Sequence, residues 1–168
     1  RKLGEVALIY RNGDADRNRQ EAQYQPTRPS FKEALLRRTD GLNLIAEFFR
    51  KPHFVENTVV SFDPRDVAFL YARCGVAAIS VVTDVSMGGT NYDLKTVADA
   101  VNLPVMRFDF IIDPAQIYES RMLGASAVLL ITSLFNTTEL RDIVKLTKEC
   151  GMDALVESHN EVELEKAV

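Results

Sequence analysis

Residues 104–131 read PVMRFDFIIDPAQIYESRMLGASAVLLI, and the order of apolar and polar residues in this stretch decides the fold. Residues 104–110 are an apolar run of strand length. Asp113 followed by Pro114 opens a helix, because a capping carboxylate and a proline at the first helical position both suit a helix start. Gly124 closes it. Residues 125–131 are a second apolar run, with AVLLI at its core. The runs are continuous rather than alternating. Strands of that kind are buried on both faces, as parallel strands covered by helices are.

The same pattern extends outward in both directions. Upstream, residues 77–83 (AAISVVT) form a strand and 91–101 a helix. Before them come an apolar run at 42–49 and a helix at 63–74, with Asp63 as cap, Pro64 at its first position and Gly75 past its end. Downstream, a helix at 137–150 carries its lysines late, where they complement the helix dipole. A strand at 153–157 follows, and a helix begins at 160. These are five βα units. No glycine-rich phosphate loop follows the first strand, which argues against a dinucleotide-binding sheet. A (β/α)8 barrel takes about 250 residues. The fold class read here is therefore α/β, a partial barrel of TIM type with its first five units. The free strand edges of such a sheet pair with other chains, so partner protein chains are expected to cover them.

Residues 1–30 read differently. The segment RNGDADRNRQ at 11–20 is almost wholly polar, and Pro26 and Pro29 follow. The organisation expected is a polar N-terminal extension over 1–30, outside any core apart from a short apolar segment at 6–10, and a barrel domain over 31–168. The extension reads either as a flexible tail or as an arm lying on a partner. Ser30 with Glu33 three residues on has capping-box spacing and predicts a short helix over 31–38.

The chain has 168 residues, 24 acidic and 20 basic, and a net charge of −4. That balance excludes the broad basic footprint of a nucleic-acid binder. No apolar run reaches the roughly 18 residues that a membrane span needs. Cys74 and Cys150 are too few for a disulfide scaffold, and both read as buried free thiols. No Walker loop, HExxH or nucleophile elbow is present. No metal and no cofactor is expected.

In a parallel barrel the chemistry gathers at the C-terminal ends of the strands. Those ends carry Glu47, Thr83-Asp84, Arg107-Phe108-Asp109-Phe110, Ile131-Thr132-Ser133 and Glu157-Ser158-His159-Asn160. Glu47 and Glu157 are candidates for acid/base work, since a partly desolvated carboxyl has a raised proton affinity. Each could equally pair with an arginine or cap a helix. His159 reads as a loop residue or a base, and His53 has no visible metal partner. Met87-Gly88-Gly89-Thr90 either offers backbone amides to a ligand or makes a tight turn.

On these residues the chain resembles the indole-3-glycerol phosphate synthase family, the barrel of tryptophan biosynthesis. The matching stretches are Leu44-Ile-Ala-Glu47, Ala77-Ala-Ile-Ser-Val-Val-Thr-Asp84, Gly88-Gly89-Thr90 with Asp93-Leu94-Lys95, Leu103-Pro-Val-Met106, Asp109 through Tyr118, Gly124 through Ile131, and Gly151 through Glu157. They run in order at family spacing. The resemblance implies a lyase that closes the indole ring of a phosphorylated carboxyphenylamino-deoxyribulose, losing CO2 and water. It implies two lysines and two glutamates as the acting groups, in the bacterial cytoplasm or a plastid. Glu47 and Glu157 fall on the two glutamates, Phe110 on an aromatic position of the substrate pocket, and Gly88 and Gly89 beside it.

The departures matter more. The two lysine positions hold Phe49 and Phe108. Phenylalanine neither donates a proton nor binds a carboxylate, and loss of a general acid alone costs about 10²–10⁴-fold. Arg107 adjoins Phe108, but a one-residue step along a strand points a side chain to the opposite face. The family's Ser-Pro-Ser loop is replaced by Lys51-Pro-His-Phe-Val-Glu-Asn57. The expectation is a family-like protein that has lost catalysis and serves as a structural or docking subunit. The alternative is an active synthase seen as a fragment. Asp109 with the two glutamates leaves a third reading, another substrate for the same barrel.

Overall fold

The computed structural model describes residues 1–37, 41–51 and 62–168. Its elements in chain order are α1 (Lys2–Arg11), α2 (Asp14–Glu21), α3 (Phe31–Leu36), β1 (Ile45–Phe48), α4 (Pro64–Arg73), β2 (Ala78–Val82), α5 (Asn91–Ala100), β3 (Val105–Phe108), α6 (Pro114–Met122), β4 (Ala127–Ile131), α7 (Thr137–Glu149), β5 (Asp153–Glu157) and α8 (Glu161–Ala167). All five strands are parallel, in the order β1-β2-β3-β4-β5. Unbroken sequential order with parallel crossovers of one hand puts every connecting helix on one side of the sheet. The other side becomes the inside of a barrel wall, as the sequence pattern predicts.

Local chemistry explains where the helices begin. Asp63, Asp84, Thr90, Asp113, Asn136 and Asn160 each accept a backbone N–H at the start of the following helix or turn. Asn136 and Glu139 complete a reciprocal capping box. Ser30 accepts the N–H of Glu33 at α3, as its spacing predicts.

Alternation along the strands divides the core in two. Outward-facing Phe48, Ile79, Val81, Val105, Val128 and Leu130 pack on the helix layer through Leu94, Val97, Ile117, Leu140 and Ile143. Inward-facing Ala78, Met106, Ala127 and Leu129 form a smaller cluster with Phe31, and Leu35, Phe108 and Ile131 lie against it. Phe31 reaches that cluster because Asp153, at the start of β5, accepts bonds from the Ser30 hydroxyl and the Lys32 N–H, both at 2.9 Å. Helix α3 is thereby anchored at the N-terminal ends of the strands.

Residues 1–30 correct the expectation of a segment without a core. They form two helices and a following 3-10 turn, with Val6, Ile9, Ala15 and Asn18 buried from the helices and Ala22 from the turn. The contacts run chiefly to α6, through Ile9, Ala15 and Ala115. From there the segment descends the helix layer. Arg121 donates to the carbonyls of Gln25 and Pro26, and Arg28 donates to the carbonyl of Ala98 and pairs with Asp99. A second correction concerns the cysteines: Cys150 is buried, but Cys74 is exposed, since it follows the last turn of α4 on its outer side. Among the described residues no helix is long and apolar enough to cross a membrane.

Candidate active site

The residues at the C-terminal strand ends divide between the barrel mouth and the helix layer according to strand parity. Glu47 stands opposite Ser80 in register and is exposed. Its carboxylate accepts the Ser80 hydroxyl at 3.3 Å, and its backbone carbonyl accepts the Tyr71 hydroxyl at 2.9 Å. Phe108 stands opposite Val82. Phe49, one residue past β1, continues the same row, and Phe49, Phe108 and Phe110 are all partly buried. Glu157 stands opposite Ile131 at the end of β5. Its carboxylate lies 2.7 Å from Nε2 of His159, whose Nδ1 lies 3.3 Å from Glu163. Glu163 also accepts the backbone N–H of His159 and the Asn160 amide, and these contacts hold its carboxyl below the usual range. The fold thus brings Glu47, Phe49, Phe108, Phe110 and Glu157 to one rim. His53 and the replacement loop after Lys51 lie outside the described residues.

Three of the cations near this rim, Arg50, Arg107 and Lys166, are committed elsewhere. Arg50 makes two bonds to the fully buried Asp93, at 2.9 and 2.6 Å, and its guanidinium lies 5.5 Å from the ring centre of Phe48 on the outer face. Arg107 faces the helix layer, as parity predicts. It bonds to Thr83 at 2.9 Å, Asp109 at 3.0 Å and Glu119 at 2.7 Å, with longer contacts to Ser120 and Asn91. Lys166 donates to the carbonyls of Thr132 and Phe135.

A further cation escapes sequence reasoning. Lys2, from the supposed tail, places its ammonium 2.5 Å from Asp109, 2.6 Å from Glu5 and 2.9 Å from Asp84. Burial by itself would lower its proton affinity, but Asp109, Glu5 and Asp84 outweigh that and raise it. Burial by itself would raise Asp109, yet Arg107, Lys2 and the Thr83 hydroxyl hold it below the usual carboxylate range. Asp84 is lowered in the same way against its burial, by the Ser86 hydroxyl and by Lys2. The signal was faint: a lysine and a glutamate three residues apart at the start of an amphipathic segment.

Gly88 and Gly89 make a tight turn. Gly88 has φ of 72° and lies against Arg50 and Lys51. A Cβ on Gly89 would stand 2.3 Å from the carbonyl oxygen of Val82. Only glycine lets the chain pass that close to the end of β2. The need is steric, whatever the amides do in addition.

Chemically, the mouth offers two carboxylates and three aromatic rings, with Lys51 exposed at its margin. This arrangement can hold or take a proton at Glu47 and Glu157. Neither Phe49 nor Phe108 can donate a proton or offer a positive charge there.

The comparisons with known proteins agree with the architecture. The family profile described as indole-3-glycerol phosphate synthase matches residues 2–168. The chain is similar to the indole-3-glycerol phosphate synthase of Carboxydothermus hydrogenoformans, with 46% identity over 143 residues, covering 83% of this chain and 54% of the relative. It is 42% identical to the protein of that name from Desulfotalea psychrophila, covering 100% of this chain and 65% of the relative. Against the Chlorobaculum tepidum protein of that name the identity is 38%, covering 99% and 66%. The chain thus spans between 54% and 66% of the length of these relatives. With the parallel barrel wall and the profile match running from α1 to α8, the chain belongs to the indole-3-glycerol phosphate synthase family.

Proposed function

We propose that this chain is a family member that has lost the ring-closing step and serves as a structural or docking subunit of a larger assembly. One observation carries the reading: the two positions where the family resemblance implies lysines hold Phe49 and Phe108, and the neighbouring Arg50, Arg107 and Lys2 are bound to carboxylates. Rescue from an adjacent residue would require breaking a buried pair. Exposed Leu44, Ile45 and Leu155 on the edge strands β1 and β5 suit coverage by other protein chains.

The test is turnover of the phosphorylated carboxyphenylamino-deoxyribulose, followed by indole fluorescence. The expected result is no product from the natural chain. Product formed at an ordinary enzymatic rate overturns the proposal. The double substitution Phe49→Lys with Phe108→Lys, made in the longest natural form of the protein, is expected to raise any background rate.

A second reading has its own support. Identity of 46% over 143 residues, together with Glu47 and Glu157 at the glutamate positions, favours an active lyase seen as part of a longer barrel. In that case the natural protein turns the substrate over despite the two phenylalanines.

A further inference from the structure

The mouth of this barrel wall has changed its charge as well as its reactivity. Two lysines and two glutamates, the set that the family resemblance implies, sum to zero. Here the lysine positions are aromatic and the carboxylates remain. Glu47 is bonded to a hydroxyl and Glu157 to a histidine, and no Lys or Arg pairs with either in the described residues. Arg50 is held by Asp93, Arg107 by Asp109 with Glu119, and Lys2 by Asp84 with Asp109, which leaves Lys51, exposed at the margin, as the uncommitted cation nearby among the described residues.

The strand register places Phe49 and Phe108 in rows on either side of Val82. Val82 pairs with Phe108 on one side, and Phe49 continues the β1 register on the other. Two strand spacings of about 4.8 Å separate the rows of Phe49 and Phe108 by about 9.6 Å. The midpoint between the two rows is about 5 Å from each, comparable with the roughly 6 Å over which an aromatic face attracts a cation. Val82, buried and between them in register, forms an apolar floor. Glu47 lies two residues before Phe49 on the same face. The protein uses this contact on its outer face, where Arg50 covers Phe48. On the inner face the rings have no such cation among the described residues.

We propose that the mouth binds a small organic ammonium ion, with its charge between Phe49 and Phe108 and against Glu47, and its apolar body toward Phe110 and Ile131. This rests on the reading above that the site no longer serves an anionic sugar phosphate, and it names what the altered site takes instead.

The experiment is calorimetric or NMR titration of the whole chain with three probes of similar shape: benzyltrimethylammonium, neutral benzyl alcohol and anionic phenyl phosphate. The expected result is binding of the ammonium in preference to the other two. Glu47→Gln and Phe108→Leu should each weaken it about five- to tenfold, within the usual range of one such contact. Phe108→Lys should abolish ammonium binding and favour the phosphate. Phe49→Leu serves if a Phe108 variant does not fold. Ammonium binding no better than benzyl alcohol, equal or tighter binding of the phosphate, or indifference to both substitutions overturns the inference. Failure here leaves the loss of catalysis standing if the turnover assay is blank. Turnover of the anionic substrate removes the loss of catalysis whatever the ammonium does.

Discussion

The two sides of strand β3 differ by one residue in register and by everything in chemistry. On the helix side, Arg107 and, just beyond the strand, Asp109 are buried and tied into a network with Lys2, Thr83, Asp84, Asn91 and Glu119. On the mouth side, Phe108 and Phe110 are half-buried apolar surface. On the helix side the charges tie the fold together, while the mouth carries rings with Glu47 and Glu157, bonded to Ser80 and His159. One strand can therefore carry a buried ion network on one face and aromatic surface on the other. The following changes break or sharpen that division.

The largest effect is expected from Asp109→Ala. It removes the buried carboxylate that Arg107 and Lys2 share, leaving Arg107 to Glu119 and Lys2 to Glu5 and Asp84. Breaking a buried pair costs about 3–5 kcal/mol. At about 2–4 °C per kcal/mol for a chain of this size, the melting temperature should fall by roughly 10 °C. A fall of less than 2 °C would show that the network is dispensable. Asp93→Asn comes next, at about 2 kcal/mol, in the range for hydrogen bonds to charged groups, and is read by urea denaturation. It should also free Arg50 without restoring turnover.

The pH dependence is a third check. Asp84 and Asp109 are held below their unfolded values, so their contribution is fully present above about pH 4 and is lost as pH falls through the lower folded values. Lys2 is raised, so its contribution is present below its unfolded value near 10.4 and is lost as pH rises through the folded one. Lys2→Met should lower stability at neutral pH and flatten both limbs, measured as the urea midpoint against pH. On the mouth side, Phe108→Lys should change stability by no more than about 1 kcal/mol, because the ammonium can reach water from a half-buried site. A loss as large as that of Asp109→Ala would collapse the distinction between the faces. The smallest effect belongs to Glu163→Gln, an exposed contact at the start of α8, which should leave the melting temperature unchanged within error while altering the His159 NMR resonances.

How much of this was legible depended on range. The strands announced themselves because burial on both faces leaves continuous apolar runs such as 77–83 and 125–131. The opposite facing of Arg107 followed from alternation alone. Beyond the apolar segment at 6–10, which supplies Val6 and Ile9, the burial within residues 1–30 did not show, because it consists of alanines, Asn18 and most of the Lys2 side chain rather than a broad apolar stripe. Lys2 and Asp109 are 107 residues apart, and Arg50 and Asp93 are 43 apart. Nothing local marks such pairs. Glu47 and Glu157 were found as strand-end carboxylates, but the significance of Phe49 and Phe108 came from the family resemblance, since a phenylalanine in a barrel is otherwise unremarked.

The anchoring of α3 by Asp153 has a consequence for how the protein is made. Ser30 and Lys32 meet that carboxylate across 123 and 121 residues. On a ribosome adding about 5–20 residues per second, α3 waits on the order of 6–25 s for the start of β5 to emerge. Through that interval Phe31 has no finished inner wall to enter, and the nascent β1 edge is open. Apolar surface in the amino-terminal third is therefore uncovered longest during synthesis, and the arrival of β5 lets Phe31 dock while the outer edge of β1 stays open.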